Sequence, residues 1–489
     1  MLFHTWIFVL FFLVAYPGYL LLKRTRFRLP WLLVASYVFY GWWNPLFLLL
    51  IVWSTSVDYL AVLGMSRRRS RKPWLVLSLV NNLGLLGFFK YGGFVANNLS
   101  AVLARLGVPY TIPNPDAEVP AAIESLNALL ARLGVSYQFP VPEVLLPVGI
   151  SFYVFQSMSY TIDYYRGNVE KEPSFIRYAT FVSLFPQLVA GPIERARNLL
   201  PQLRTSPRIT CHDVADGLSL FVVGLFKKVA LADYLALYVD KVYAAPGQFE
   251  APALVLATFA FGWQIYFDFS GYTDMARGVG RILGIRLMLN FNNPYLATGL
   301  GDFWRRWHIS LSSWFKDYVY VPLGGNRRGR FNTYRNMCLT MLISGLWHGA
   351  SWTFVIWGAL HALGRVLTRR LEDSRVYRDR IPSFAKRLFV FSFVTFAWIF
   401  FRARSFGDAW LIVTRIFRFG WADPGCPLLA LGLMLAVWLY QYMYESRARS
   451  VLKLAPVRIG FVVSIIVYTT VHVAVFSGAA AKAFIYFRF

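Results

Sequence analysis

Acidic residues are scarce in this chain. Asp and Glu number 24 against 50 Lys and Arg, and charged residues of both signs make up 15% of the 489 residues. Soluble domains carry roughly 25% charged residues, so several water-soluble domains are excluded. Cysteine is scarcer still: Cys211, Cys338 and Cys426 lie far apart, which suggests neither a disulfide framework nor a thiolate metal site. No G-x-S-x-G, P-loop or G-x-G-x-x-G context occurs, removing the usual signals of a hydrolase or nucleotide enzyme. Met1–Leu22 is apolar but has no basic n-region and no A-x-A cleavage site, so it is expected to stay as a first span. The net charge of +26 does not indicate nucleic acid, because the basic residues sit in short loops between apolar runs, as cytoplasmic loops do.

What is abundant is hydrocarbon. The hydrophobic share is 57%, and apolar runs of spanning length recur. The expected fold is all-α: a polytopic integral membrane protein with about 10–12 transmembrane helices plus re-entrant and interfacial pieces, forming one membrane domain over 1–489. Lys23, Arg24, Arg26 and Arg28 place the first loop in the cytoplasm. Residues 30–64, broken at Gly41–Pro45 and followed by the basic Arg67–Lys72, read as two spans. Leu99–Pro115 and Leu126–Pro142 match at 11 of 17 positions, 27 residues apart. This duplicated segment, 99–142, encloses Asp116, Glu118 and Glu124 and reads as an extracytoplasmic loop. Leu145–Tyr165 reads as a span returning inward, and most of its polar string, Ser151, Gln156, Ser157, Ser159, Thr161 and Asp163, reads as interhelical bonds. Phe181–Pro192 is too short to span and reads as re-entrant. Gly217–Tyr238 reads as a span interrupted by Lys227-Lys228. Asp268–Arg277, with Arg281 and Arg286, reads as an interfacial helix with a basic face.

The rare polar residues crowd into 301–348. His308 and His348 each follow a tryptophan, and the Arg-rich turn Gly324–Arg330 lies between them. Polar groups at membrane depth are functional candidates by default. His308, within Asp302-Phe-Trp-Arg-Arg-Trp-His308, has no clean lipid-facing side and is expected to line a cavity. His348 is flanked by Gly345 and Gly349, which admit either a substrate or a second helix. An imidazole with a pKa near about 6.5 exchanges protons at cellular pH, although a hydrogen-bonded structural role is the rival reading. A metal site is disfavoured, since the histidines lack i, i+4 spacing and no Cys or Glu joins them.

Five strings carry a resemblance: LPVGISFYVFQSMSYTIDYYRG (146–167), FPQLVAGPIER (185–195), FDFSGYTDMARG (267–278), NFNNPYLATGLGDFWRRWHISLSSWFKDYVYVPLGGNR (290–327) and SGLWHGASWTFVIWGALH (344–361). Together they resemble the membrane-bound O-acyltransferase family, in its bacterial branch acting on alginate and teichoic acids. The closing Phe484-Ile-Tyr-Phe487 is similar to the end of alginate-type members. The resemblance implies His348 as catalytic histidine, His308 as the second characteristic histidine and His361 as a further candidate. It also implies a helical fold with a funnel where a cytoplasmic acyl thioester, acetyl-CoA, meets an extracytoplasmic polysaccharide or a periplasmic acyltransferase partner. No bound cofactor is expected. On that footing Trp304, Trp307 and Trp347 pack the acyl path. Asp302, Arg305 and Arg306 join the donor-site candidates, and Arg327 and Arg328 can attract donor phosphates. For the arginines, anchoring to cytoplasmic lipid is the competing account. A lipid-modifying acyltransferase shares the histidine chemistry with another acceptor. A transporter of acyl or glycan intermediates lacks the paired inverted halves it would need.

The basic clusters generate a topological expectation. Cysteines placed in Lys23–Arg28, Arg67–Lys72 and 365–387 should resist an impermeant thiol reagent added to intact cells. Strong labelling at two of the three would reverse the orientation.

Overall fold

The computed structural model describes residues 1–141, 146–418, 420–452 and 454–476. The closing Phe484–Phe487 string and Pro142 of the duplicated segment lie outside them. Among the described residues there is no strand, and helices account for the regular structure. In hydrocarbon a chain must satisfy its backbone internally, which helices do. Among the described residues, five helical runs are long and apolar enough to cross a membrane: Leu46–Arg67, Lys72–Arg105, Ala251–Ile282, Ser383–Arg402 and Leu428–Glu445. The other apolar runs are divided among shorter or broken helices, such as the 17-residue Trp6–Leu22. The chain forms two compact units, Met1–Thr210 with Leu283–Leu287, and Cys211–Ile282 with Met288–Phe489.

The first unit opens with α1 (Trp6–Leu22) and α2 (Arg28–Gly41). Asn44 ends the pause that follows, its side-chain oxygen accepting from the Leu46 amide at the start of α3 (Leu46–Arg67). Next, α4 (Lys72–Leu86) continues through a π turn at Gly87–Tyr91 into α5 (Gly92–Arg105), 34 residues in all. At about 1.5 Å per residue this exceeds the roughly 30 Å hydrocarbon core, so one end must project beyond it. α6 (Pro115–Arg132) follows. The duplicated segments are structural equivalents. Each helix ends at a left-handed glycine, Gly107 (φ 74°) or Gly134 (φ 79°), with the next amide bonding back at 2.9 Å, Val108 to Leu103 and Val135 to Leu130. Twelve residues past Ser100 and Asn127, the Ile112 and Phe139 amides donate to those side chains.

α7 (Ile150–Tyr165) supplies the interhelical bonds only in part. Ser157 donates to the fully buried Asp58 of α3, which also accepts from Ser78 (2.6 Å) and Asn82 of α4. Ser159 and Thr161 instead bond to their own helix. The stretch read as re-entrant forms α8 (Phe175–Ser183) and α9 (Phe185–Leu188), broken at Leu184. The freed Phe181 carbonyl accepts from Gln156 and Gln187, so protein satisfies the break. α10 (Ala196–Arg204) closes the unit, and the buried Arg28 donates to the Leu203 and Thr205 carbonyls at its end.

In the second unit, α11 (Cys211–Leu225) passes through a π segment, Phe226–Ala232, into α12 (Asp233–Ala244). The lysine pair sits in that π segment, the kind of irregularity frequent at functional or strained positions. Lys228, 3% exposed, lies 2.8 Å from Asp233 and 2.7 Å from Asp268, and Lys227 lies 2.6 Å from Asp274. The segment expected as a separate interfacial helix is instead the end of α13 (Ala251–Ile282), and Arg277 and Arg281 pair with Asp274 and Asp213 there. Asp274 is local to Arg277, but Asp213, the partner of Arg281, comes from α11, which the local charge pattern does not show. α11 and α13 meet through two glycine pairs. A Cβ on Gly224 would lie 2.5 Å from the Gly271 carbonyl, and one on Gly278 would lie 2.5 Å from that of Gly217. Such small-residue contacts bring membrane helices together.

The remaining helices are α14 (Leu300–Arg306), α15 (Ile309–Phe315), α16 (Gly329–His348), α17 (Trp352–Asp373) and α18 (Ser383–Arg402). They are followed by α19 (Phe406–Phe417), α20 (Leu428–Glu445), α21 (Arg449–Leu452) and α22 (Ala455–Phe476). Gly271→Val should lower the thermal-unfolding midpoint of the solubilised protein, by a destabilisation of about 1–3 kcal/mol from overpacking. Gly432→Ala on α20, where an added Cβ meets nothing within 4 Å, should cost nothing. Equal midpoints for the two variants would disprove the backbone contact.

Candidate active site

The site lies within the second unit, and backbone fixes its first histidine. Asn290, 0% exposed, accepts from the Ile309 amide at 2.9 Å through its carbonyl and from the Ser310 amide at 3.3 Å through its side chain. That tie holds the turn between α14 and α15, where His308 adopts φ 42°, ψ 57°. A left-handed backbone costs an L-residue about 1–2 kcal/mol, and such outliers cluster at functional sites. α14 itself starts on Glu372 of α17. The Leu300 (2.8 Å) and Gly301 (3.4 Å) amides donate to its carboxylate, which the Arg365 guanidinium and Thr368 hydroxyl hold, each at 2.8 Å. A carboxylate at a helix N-terminus is favourable. Gly299 makes the approach possible, since a Cβ there would lie 2.8 Å from the Glu372 carboxyl carbon.

The second histidine ends α16. Ser351 caps α17 by accepting from the Thr353 amide, and the two helices then touch backbone to backbone. A Cβ on Gly345 would lie 2.4 Å from the Phe354 carbonyl, and one on Gly358 would lie 2.6 Å from that of Met341. The small residues near His348 therefore admit a helix. His348 is 3% exposed, with ring centroids of Trp347, Trp357 and Phe401 at 4.9, 5.0 and 5.2 Å.

Trp347 also stands 6.1 Å from His308, which meets Phe269 edge to face at 4.6 Å. Trp357 reaches His361 at 4.7 Å, and Trp304 packs on His361 at 5.0 Å. Trp307 packs on Phe303 at 5.5 Å and Trp398 at 5.2 Å. The three histidines and Trp304, Trp307 and Trp347 thus form one connected cluster. His361 lies in the middle of α17. Among the described residues, both His361 nitrogens and the indole nitrogens of Trp304 and Trp357 are buried without a hydrogen-bond partner. Buried polar groups are normally paired, so this cluster retains bonding capacity for a ligand or for water.

The charged candidates stand apart from the rings. Arg306 pairs with Asp302 at 3.0 Å and with Glu445 of α20 at 2.7 Å. The Arg305 side chain is 77% exposed and 3.9 Å from Asp302. Arg327 and Arg328 are exposed. Among the described residues no three His, Cys, Asp or Glu side chains gather as a metal centre requires. Sequence reading missed Trp357, although it lies four residues before His361, one turn away on the same helix face. It also missed Phe401 and Trp398, whose positions on α18 carry no local signal, and the positioning residues Asn290 and Glu372.

Comparison with known proteins bears on the same region. Residues 165–406 match the sequence model described as MBOAT, membrane-bound O-acyltransferase family. The chain is 41% identical over 425 residues to a probable alginate O-acetylase of Azotobacter vinelandii, covering 86% of this chain and 79% of the other. It is 35% identical over 444 residues to a peptidoglycan O-acetyltransferase of Helicobacter pylori, covering 84% and 78%. It is also 28% identical over 235 residues to a teichoic acid D-alanyltransferase of Streptococcus thermophilus, covering 45% and 56%.

The left-handed backbone at position 308 is testable apart from chemistry. His308→Gly and His308→Ala remove the same imidazole, but glycine accepts the conformation freely. The glycine variant should be more stable by about 1 kcal/mol in thermal unfolding. An alanine variant as stable or more so would contradict the strained turn.

Proposed function

The chain belongs to the membrane-bound O-acyltransferase family and is a multi-pass membrane acyltransferase; from that premise we propose that it moves an acetyl group from cytoplasmic acetyl-CoA toward an extracytoplasmic polysaccharide, with His348 as general base. The proposed location is the bacterial inner membrane, which separates such a donor from such an acceptor. The names of the alginate and peptidoglycan relatives support the acceptor class and the acetyl group. The observation that carries the reading is the enclosure of His348 by Trp347, Trp357 and Phe401, with His308 across Trp347.

In this reading, an imidazole nitrogen of His348 takes the proton of the acceptor hydroxyl as its oxygen attacks the thioester carbonyl carbon. The new C–O bond leaves a tetrahedral oxyanion, whose collapse breaks the C–S bond. Sulfur departs and receives the proton from His348, so the imidazole is regenerated. The indole N–H of Trp357, buried without a partner among the described residues, is the donor available to the oxyanion. Fixed donors in a dry site are among the largest catalytic contributions. His308 positions the wall that Trp347 forms. Trp304, Trp307 and His361 line the acyl path, and the exposed Arg305, Arg327 and Arg328 attract the donor's phosphates. Arg306 and Asp302 brace α14 against α20. The acceptor hydroxyl belongs either to the polymer or to an acyltransferase partner that relays the group.

His348→Ala should fold, because it adds no charge beside the Gly345 contact, and acetyl transfer from radiolabelled acetyl-CoA should fall by about 10²–10⁴-fold. His348→Gln retains hydrogen bonding but cannot take up a proton at neutral pH. Full transfer by well-folded His348→Gln would refute the general-base role.

A further inference from the structure

One cavity in the second unit lies outside the histidine cluster. It has a volume of about 330 Å³ and is bounded by α13, α18 and α20, within the range of roughly 300–1,000 Å³ typical of small-molecule sites. Its floor is closed by Trp263, Tyr295 and Met434, all buried, and its rim by Phe384, Leu388 and Leu435, exposed at 63%, 52% and 65%. The lining is hydrocarbon and aromatic but for the Tyr295 hydroxyl, which already donates to the Gly262 carbonyl, and one cation, Arg387.

Arg387 is set up for an anion that the described protein does not provide. Its guanidinium lies 5.2 Å over the Tyr442 ring, which orients its plane. Its Nε is buried without a hydrogen-bond partner among the described residues. The acids of neighbouring helices are engaged elsewhere, Glu445 with Arg306 and Glu372 with Arg365. Lys386, the adjoining cation, donates to the Arg378 carbonyl and lies over the Tyr377 ring. An oriented, unpaired guanidinium at the mouth of an apolar groove suits a phosphate attached to a hydrocarbon chain.

We propose that this groove is a binding site for an anionic glycerophospholipid, one acyl chain lying against Trp263 and Met434 and the phosphate on Arg387. Two features favour a lipid over a soluble occupant. The rim side chains are of the kind that bilayer chains cover, and Arg387 lies in the basic segment 365–387, which charge bias places at the cytoplasmic leaflet, where anionic lipid is enriched. The groove's floor is also the rear of the catalytic wall, since Tyr295 packs on Trp307 at 6.0 Å and on Trp263 at 5.1 Å. A seated chain would therefore stiffen the support of the turn that carries His308.

The full-length protein, purified in detergent and delipidated, is titrated with phosphatidylglycerol or phosphatidylcholine of identical chains, and bound lipid is counted by native mass spectrometry. About fivefold higher single-lipid occupancy is expected with phosphatidylglycerol, as one basic residue at a lipid surface contributes. Arg387→Gln should abolish that preference, and Leu435→Trp, which fills the rim, should reduce occupancy by both lipids. Arg378→Gln, an exposed arginine of the same segment, should leave the preference intact. Equal occupancy by the two lipids in the unaltered protein overturns the proposal without recourse to any variant. So does equal loss in Arg378→Gln and Arg387→Gln, which would reduce the effect to surface potential. Displacement of the lipid by millimolar glycerol phosphate would identify a headgroup site without an acyl groove and overturn it as well.

Discussion

Hydrocarbon offers a polar group nothing to bond with, and each unit of this protein answers that constraint inside itself. Every unsatisfied group at membrane depth costs several kcal/mol, so helices carry the backbone and long-range partners carry the side chains. In the first unit Asp58 is fully buried and accepts from Ser78, Asn82 and Ser157 on two other helices. In the second, Lys228 lies between Asp233 and Asp268. Breaking one partner of such a set leaves an uncompensated buried charge, which is far more damaging than losing a surface pair. These sets therefore dictate which helices are neighbours.

Close backbone contact is the second requirement, and the histidine cluster depends on it. Gly345 and Gly358 let α16 and α17 meet without side chains between them, and that contact puts His348 against Trp357. Glu372, near the end of α17, then holds the start of α14, whose end leads into the left-handed turn at His308. One helix thus positions both Trp-His pairs. The aromatic rings between them fill the space that water would occupy, which strengthens any hydrogen bond made there.

The arginines divide by partner. Arg306 and Arg402 are bound in ion pairs with Glu445 and Asp240 and act as braces between helices, while Arg365 pairs with Glu372 within α17. Arg305, Arg327 and Arg328 remain exposed. Arg387 is held by an aromatic ring in place of a carboxylate, which separates it from both groups and ties it to the apolar groove.

The amino-acid sequence by itself determined the class of fold, the break between α2 and α3 and the duplicated helices of 99–142, and it drew the eye to the two Trp-His pairs that the fold brings into one cluster. These follow from hydropathy, glycine and proline positions, and the rarity of polar residues in apolar runs, all of which are local properties. It did not disclose that Arg277 and Arg281 sit at the end of a spanning helix, because Asp213, the partner of Arg281, lies on α11, a pairing that local charge pattern cannot reveal. Nor did it disclose that the glycine beside His348 admits α17, that Phe401 closes the wall, or that Asp302 and Arg306 brace α14 against α20. Tertiary structure decided these points, since ring contacts and ion pairs extend only a few ångströms in space while joining residues as far apart as Arg306 and Glu445.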